Sequence, residues 1–231
     1  MTSPTPVQSL EALAVNKLNR RHIRKGKKVA VLRAPMSVAI PEWLTQGGAS
    51  GAPITLRPLP GFLGMGLMRK DDGISHTRDQ EKSDIMAVGF QDPVRSDFDA
   101  DTFSAQIVGL ETHRANIESY LQVDLSGVTL DADTGELSFP QPTDGAIVQN
   151  RWFFIAQDGL GLDRFWWARL YTAGVVSETD DQNMGGEDGW QWPMTISSQT
   201  DPDAGYSVHH YFGGPGWKAA AESMGFPALA G

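Results

Sequence analysis

His209 and His210 are the side chains best suited by type to hold a metal or move a proton, and they are adjacent. Neighbours on a strand point to opposite faces, so the two imidazoles cannot chelate one ion together. Ordinary strand positions are the reading. The stretch DADTGE, Asp131 to Glu136, opens like a calcium loop. The remaining ligands of a twelve-residue site are missing, so a hairpin turn is expected. Asp97, Asp99 and Asp101 are oxygen ligands by type, but alternating acids ahead of a strand read as a solvated loop. GFLGMG, residues 61–66, has neither a βαβ setting nor a following Lys-Ser/Thr pair, so its glycines mark turns or bulges and not a phosphate cradle. No serine sits in a nucleophile elbow. Cysteine is absent, which removes disulfides and thiolate metal sites. No pair of groups has a diagnostic catalytic spacing. The sequence points away from an enzyme, and no cofactor or metal is expected.

Seven tryptophans could stack on sugars. Trp166 and Trp167 are sequence neighbours on a predicted strand, so one is expected in the core and the other at an interface. A carbohydrate-binding β-sandwich is the reading that this clustering offers.

The elements that must carry these residues are mostly strands. KKVAVLRAP reads as a first strand, and HTRDQEKSD (76–84), polar on both faces, as a long strand whose polar half leaves the core. VTLDADTGELSF suggests two short strands about a turn. NRWFFIAQ and DRFWWARLYTAGVVSE form a hairpin about DGLGL. GWQWPMTISSQ and AGYSVHHYF flank another turn, TDPDAG. One interior stretch changes period. Phe103, Ala105 and Ile107 alternate as in a strand, whereas Ile117, Tyr120 and Leu121 take helical spacing, with Thr112 placed as the N-cap. A second short helix is expected from about Trp217 to Met224. The fold class is mainly β, two packed antiparallel sheets in a sandwich with one flanking helix and extended termini. The expected division is a basic arm (1–28), a β-domain (29–214) and a C-terminal tail (215–231).

Charge is unevenly placed. Residues 1–28 hold seven cations against Glu11 alone, +6, while the rest carries 12 basic and 27 acidic side chains, −15. An acidic body repels nucleic acid, so the arm is expected to meet a protein surface. The body of the next copy has the right sign, in head-to-tail association. Leu10, Leu13 and Leu18 would form the apolar face of an arm helix, with Lys17, Arg20, Arg21, Arg24 and Lys25 beyond it. No apolar run approaches a membrane span and no signal peptide or membrane anchor is expected.

Across residues 71–121 a DGI entry, a polar strand, PVRSD and a strand closing in ETHRANIE follow one another. In that order they resemble the major tail tube protein of long-tailed bacteriophages, in a form similar to that of actinobacterial phages. The likeness continues through the paired strands of 148–178 and on to GGPGW. The resemblance implies a structural virion protein whose hexameric rings stack into a tube, with inner sheets joined around a channel for DNA delivery. Implied partners are the chain itself, the tape measure protein, the tail terminator and baseplate or tail-tip proteins, with DNA passing unbound. The implied location is the virion tail, after assembly in the host cytoplasm. Asp79, Glu81 and Asp84 are the lumen candidates. Another virion ring protein, a head–tail connector or tail terminator, is the neighbouring alternative.

Overall fold

Alternation of apolar and polar residues resolves into strands along most of the chain. The computed structural model describes residues 22–71, 73–143, 147–185 and 189–227. Its strands are β1 (Lys28–Pro35), β2 (Thr45–Gln46), β3 (Thr55–Leu56), β4 (Leu63–Gly64), β5 (Ser75–Ile85), β6 (Arg95–Gly109), β7 (Asn150–Asp158), β8 (Phe165–Thr179), β9 (Trp192–Gln199) and β10 (Val208–Gly213). Two α-helices accompany them among the described residues, α1 (Arg114–Leu121) and α2 (Pro215–Ala220). The protein is mainly β, with a large antiparallel sheet and a small one.

The large sheet has the order β4-β1-β7-β8-β9-β6-β5, and β10 also pairs with β8. β8 is the hinge of the architecture. Its first half, residues 166–171, pairs with β10, and its second half, 173–179, pairs with β9 along the same edge. The sheet therefore folds on itself into two layers that share β8. The expected two sheets are present as one continuous hydrogen-bonded surface. Val31, Phe154 and Tyr171 of the first layer pack against Ile107, Met194 and Ile196 of the second.

Through its middle the first layer is buried on both faces. Trp152 and Phe154 face the interlayer core, while Phe153 and Ile155 face a second core closed by Leu44, Ile54 and Phe62 from the 36–62 segment. This is the period of two of a strand with two dry faces. Gly174 marks a close approach inside this core, since a Cβ there would stand 2.6 Å from Trp152 Cδ1. The 7–8 hairpin turns through Gly161–Asp163, as DGLGL leads one to expect.

α1 closes one flank. Ile117 and Tyr120 pack on the interlayer core, and the Tyr120 ring meets Trp192 edge-on at 5.5 Å. Leu121 is only half-buried; Ala115, Asn116, Glu118 and Ser119 are the buried positions. The N-cap is His113, extended and without a side-chain cap bond, so Thr112 does not cap the helix. Asn116 organises this end, donating through Nδ2 to the carbonyls of Glu111 (2.7 Å) and Met65 (3.2 Å). The helix is tied to the first layer through Arg33, which donates to Glu118 Oε2 (2.5 Å) and Ser119 Oγ (2.7 Å). The strand-to-helix passage thus serves to cover the open flank of the layered sheet.

Three further expectations change. Asp131 to Glu136 forms the turn, with Asp131 Oδ1 accepting from the amides of Asp133 and Thr134, but no strands flank it. Asp97, Asp99 and Asp101 lie within β6 instead of a loop before it. The C-terminal helix starts earlier than Trp217, at Pro215, and a 3-10 turn covers Glu222–Met224.

Candidate functional site

The β5–β6 hairpin and the outer face of the second layer gather the residues that distinguish this chain. β5 is the last strand of the sheet, so its eleven residues leave one ladder edge unpaired. At the base, His76 lies inside, edge-on to Phe154 at 5.1 Å and hydrogen-bonded through Nδ1 to Tyr171 Oη at 3.1 Å. Phe103 meets the His210 ring at 5.9 Å. Beyond these contacts the ribbon leaves the subunit, and almost every residue from Thr77 to Phe98 is exposed.

Alternation divides the ribbon into two faces. His76, Arg78 and Phe103 face inward, and Arg78 forks onto Asp101 at 2.8 and 2.6 Å while lying over the Phe103 ring. On the outward face stand Thr77, Asp79 and Glu81. A bulge between the Glu81 and Lys82 pairs leaves Asp99 without a partner in the register and exchanges the faces of β6. Asp97 and Asp99 consequently turn outward, where they meet Arg95 and Ser83. The three lumen candidates do not share one wall. Asp79 and Glu81 are outward, but Asp84 is on the inward face with Lys82 (2.9 Å) and Ser96 (2.5 Å). Its hydrogen bonds from Ser96 and Lys82 hold its carboxyl below the usual range. The parity of residue numbers alone carries this difference.

The outward face continues across the layer through Thr102, Ser104 and Gln106 of β6, Thr195 and Ser197 of β9 and Ser177 of β8. Ser177 Oγ and Ser197 Oγ are 2.7 Å apart. Ala105 and Ile196, between them in sequence, face the core. Hydroxyls, amides and carboxylates populate this face, and Arg95, near the hairpin tip, is its one cation among the described strand residues.

Of the arm residues, Leu10, Leu13, Leu18, Lys17, Arg20 and Arg21 lie outside the described residues. Arg24 and Lys25 belong to the subunit itself. The Arg24 guanidinium lies 4.6 Å over the Phe165 ring, and the Lys25 amide donates to Asp158 Oδ2 at 3.3 Å. His22 is 3.0 Å from Ser223 Oγ. The polypeptide from residue 22 onward is therefore part of the body.

His209 and His210 point apart as expected. His209 stacks on Tyr211, and His210 meets Phe103. Trp166 is buried and Trp167 half-exposed. Trp152, Trp166 and Trp192 are all core residues. Among the described residues no helix is long and apolar enough to cross a membrane.

Two buried ionic groups and His76, the most strongly lowered of three histidines that burial lowers, shape the response to acid. For Glu118, burial acts upward, but hydrogen bonds from Arg114, Arg33 and the Leu125 amide outweigh it and hold the carboxyl below its ordinary value. In Asp201, burial is likewise outweighed, chiefly by Arg151. Burial, with Arg169 and His210 nearby, lowers His76 to about 4. All three have folded values below their unfolded ones, so their stabilisation is complete above the unfolded pKa and is lost as pH falls. The His76 contribution should fade between about pH 6.5 and 4, and the carboxylates should add a second loss below about pH 4. Urea midpoints at pH 7.5, 5 and 3 are expected to fall in that order, and His76→Phe should shrink the first step. An unchanged first step in that variant would contradict the assignment.

No protein-family model matches this chain, and no curated protein matches it.

Proposed function

We propose that this chain is a structural virion protein whose rings stack into a phage tail tube, with the outward face of the second layer lining the DNA channel. One observation carries the reading: a broad sheet face made of Ser, Thr and Gln with Asp79 and Glu81, whose described strand residues include no lysine or arginine short of Arg95, while Arg69 stands at its rim beside Ser75 and Gln106. Neutralising phosphates requires cations, and a wall that lacks them lets duplex DNA slide without being held. The free β5 edge supports the same reading. An eleven-residue unpaired strand invites pairing with another chain, and closure into a ring removes the edge. The exposed hairpin tip supplies apolar surface for contact between copies.

The test places cations on the wall. Asp79→Lys with Glu81→Lys should leave the subunit melt unchanged, because both side chains are solvent-exposed. Assemblies of the original protein should not retain duplex DNA in co-sedimentation at low salt, whereas assemblies of the double variant should. Equal retention by both would remove this face from the channel. An unfolded double variant would place β5 in the core and overturn the reading in the same way.

A further inference from the structure

We infer that the uncovered end of the first layer is the seat for the β5–β6 hairpin tip of a second copy of this chain, an inference that rests on the ring-and-tube reading above. The strand registers place Val29, Ala156, Trp167 and Phe212 in one cross-strand row over β1, β7, β8 and β10. The next row is Val31, Phe154, Arg169 and His210. Val31 and Phe154 belong to the interlayer core, so both rows share its face. The second layer reaches the second row, through His76 on Phe154 and Phe103 on His210, and stops there.

Among the described residues the first row is only partly covered, Gly26 standing over Trp167 and Ala156. Val29 is 42% and Phe212 54% exposed, and Trp167 is half-buried. Phe212 stacks on Trp217 at 5.4 Å, which stiffens the floor. A cavity of about 410 Å³ lies beside the row, reaching Gly26, Gly73, His76 and Arg169. Arg169 meets no carboxylate in ion-pair range among the described residues; its charged or polar neighbours are His76, His210 and Tyr171. At the same end Lys27 stands 3.8 Å from Asp158, and Lys28 opens β1 on the opposite face. This surface is apolar with Arg169 at its border, in a chain of net charge −9.

The hairpin tip is its complement. Ile85, Met86, Val88, Phe90, Val94 and Phe98 are each more than half exposed. Asp84, Asp92, Asp97 and Asp99 stand among them against Lys82 and Arg95. Apolar area would be buried on both partners, and opposite charges would set the register. The tip cannot serve its own copy. From Arg78 to Ile85 the ribbon runs outward by roughly 23 Å at about 3.3 Å per residue, and folding back would break its ladder. The basic arm is the wrong sign for this border. Tip and seat are different surfaces, so the contact is heterologous and passes from copy to copy.

Two complementary lesions test it. A tip variant carries Val88→Ser, Phe90→Ser and Phe98→Ser; a seat variant carries Arg169→Glu and Phe212→Ser. Val29→Lys, an exposed change, is the seat lesion to use if the first fails to fold. Sedimentation velocity should show each variant alone as monomer, with the assembled fraction reduced at least tenfold. Their equimolar mixture should give a 1:1 dimer that does not grow, the intact tip of one on the intact seat of the other. A seat variant that still assembles, or a mixture that stays monomeric while the original protein assembles, overturns the inference. A dimer in the mixture without tubes from the original protein keeps this contact and sinks the tube reading instead.

Discussion

Arg151→Ala should lower the unfolding free energy by about 3–5 kcal/mol, the usual consequence of stranding a buried partner charge. Arg151 stands at the bulge that opens β7 and is almost wholly buried. Its guanidinium donates to Asp201 Oδ2 (2.8 Å), Thr172 O (2.9 Å), Met36 O (3.0 Å) and Val38 O (2.5 Å). Asp201, 1% exposed, in turn accepts from the Asp203 amide at 2.9 Å and holds the turn between β9 and β10. One side chain therefore joins the 36–38 loop, the middle of β8 and the turn that brings β10 to its edge. Lysine cannot replace it, because a point charge does not reproduce the planar fork. Urea melts at pH 7.5 check the value. The pair Arg151→Met with Asp201→Leu should lose less than Arg151→Ala alone, since no charge is left buried. A loss under about 1 kcal/mol for Arg151→Ala would fall in the range of an exposed pair and contradict this account.

Removing residues 1–21 should leave a folded subunit that does not grow into long tubes. The boundary comes from the structure, because Arg24, Lys25 and Lys27 touch Phe165 and Asp158 of their own subunit. Four of the seven cations of 1–28 therefore lie with the body, and residues 1–21 keep Lys17, Arg20 and Arg21 against Glu11. Steering by charge is correspondingly weaker than the +6 of the whole arm suggests. Leu10, Leu13 and Leu18 become the main contribution, each worth about 1.5–3 kcal/mol if fully buried against a neighbour. Replacing the three leucines by serine should reproduce the truncation, whereas Arg20→Glu with Arg21→Glu should only slow growth, most at low salt. Light scattering follows the growth. Tubes of normal length from the truncated chain would make the segment a solvated tail.

Patterns that depend on neighbours in sequence were legible before any coordinates. Period two placed β1, the 7–8 hairpin, the opposed histidines and the split between Trp166 and Trp167. The change to helical spacing placed α1. Local reading erred at ends and faces. The helix begins one residue too late for Thr112 to cap it, and an Asx turn at Asp131 satisfies its own amides without strands around it. The β6 bulge exchanges faces within a run of alternating acids, which no composition reveals. What sequence could not offer is distance. Arg151 and Asp201 are 50 positions apart, and β9 and β10, legible only as stretches flanking a turn, each pair with a different half of β8. The candidate wall was half legible: Asp79 and Glu81 were in view, while Thr195, Ser197 and Ser177 join them only through sheet pairing.

Electron microscopy of the purified full chain, concentrated at low salt and neutral pH, tests the central claim most directly. The account predicts tubes of uniform diameter and variable length, with six-fold end views and an open channel. Isolated rings that do not stack would transfer the chain to a terminator or connector role, and monomers at every concentration would contradict the assembly reading altogether.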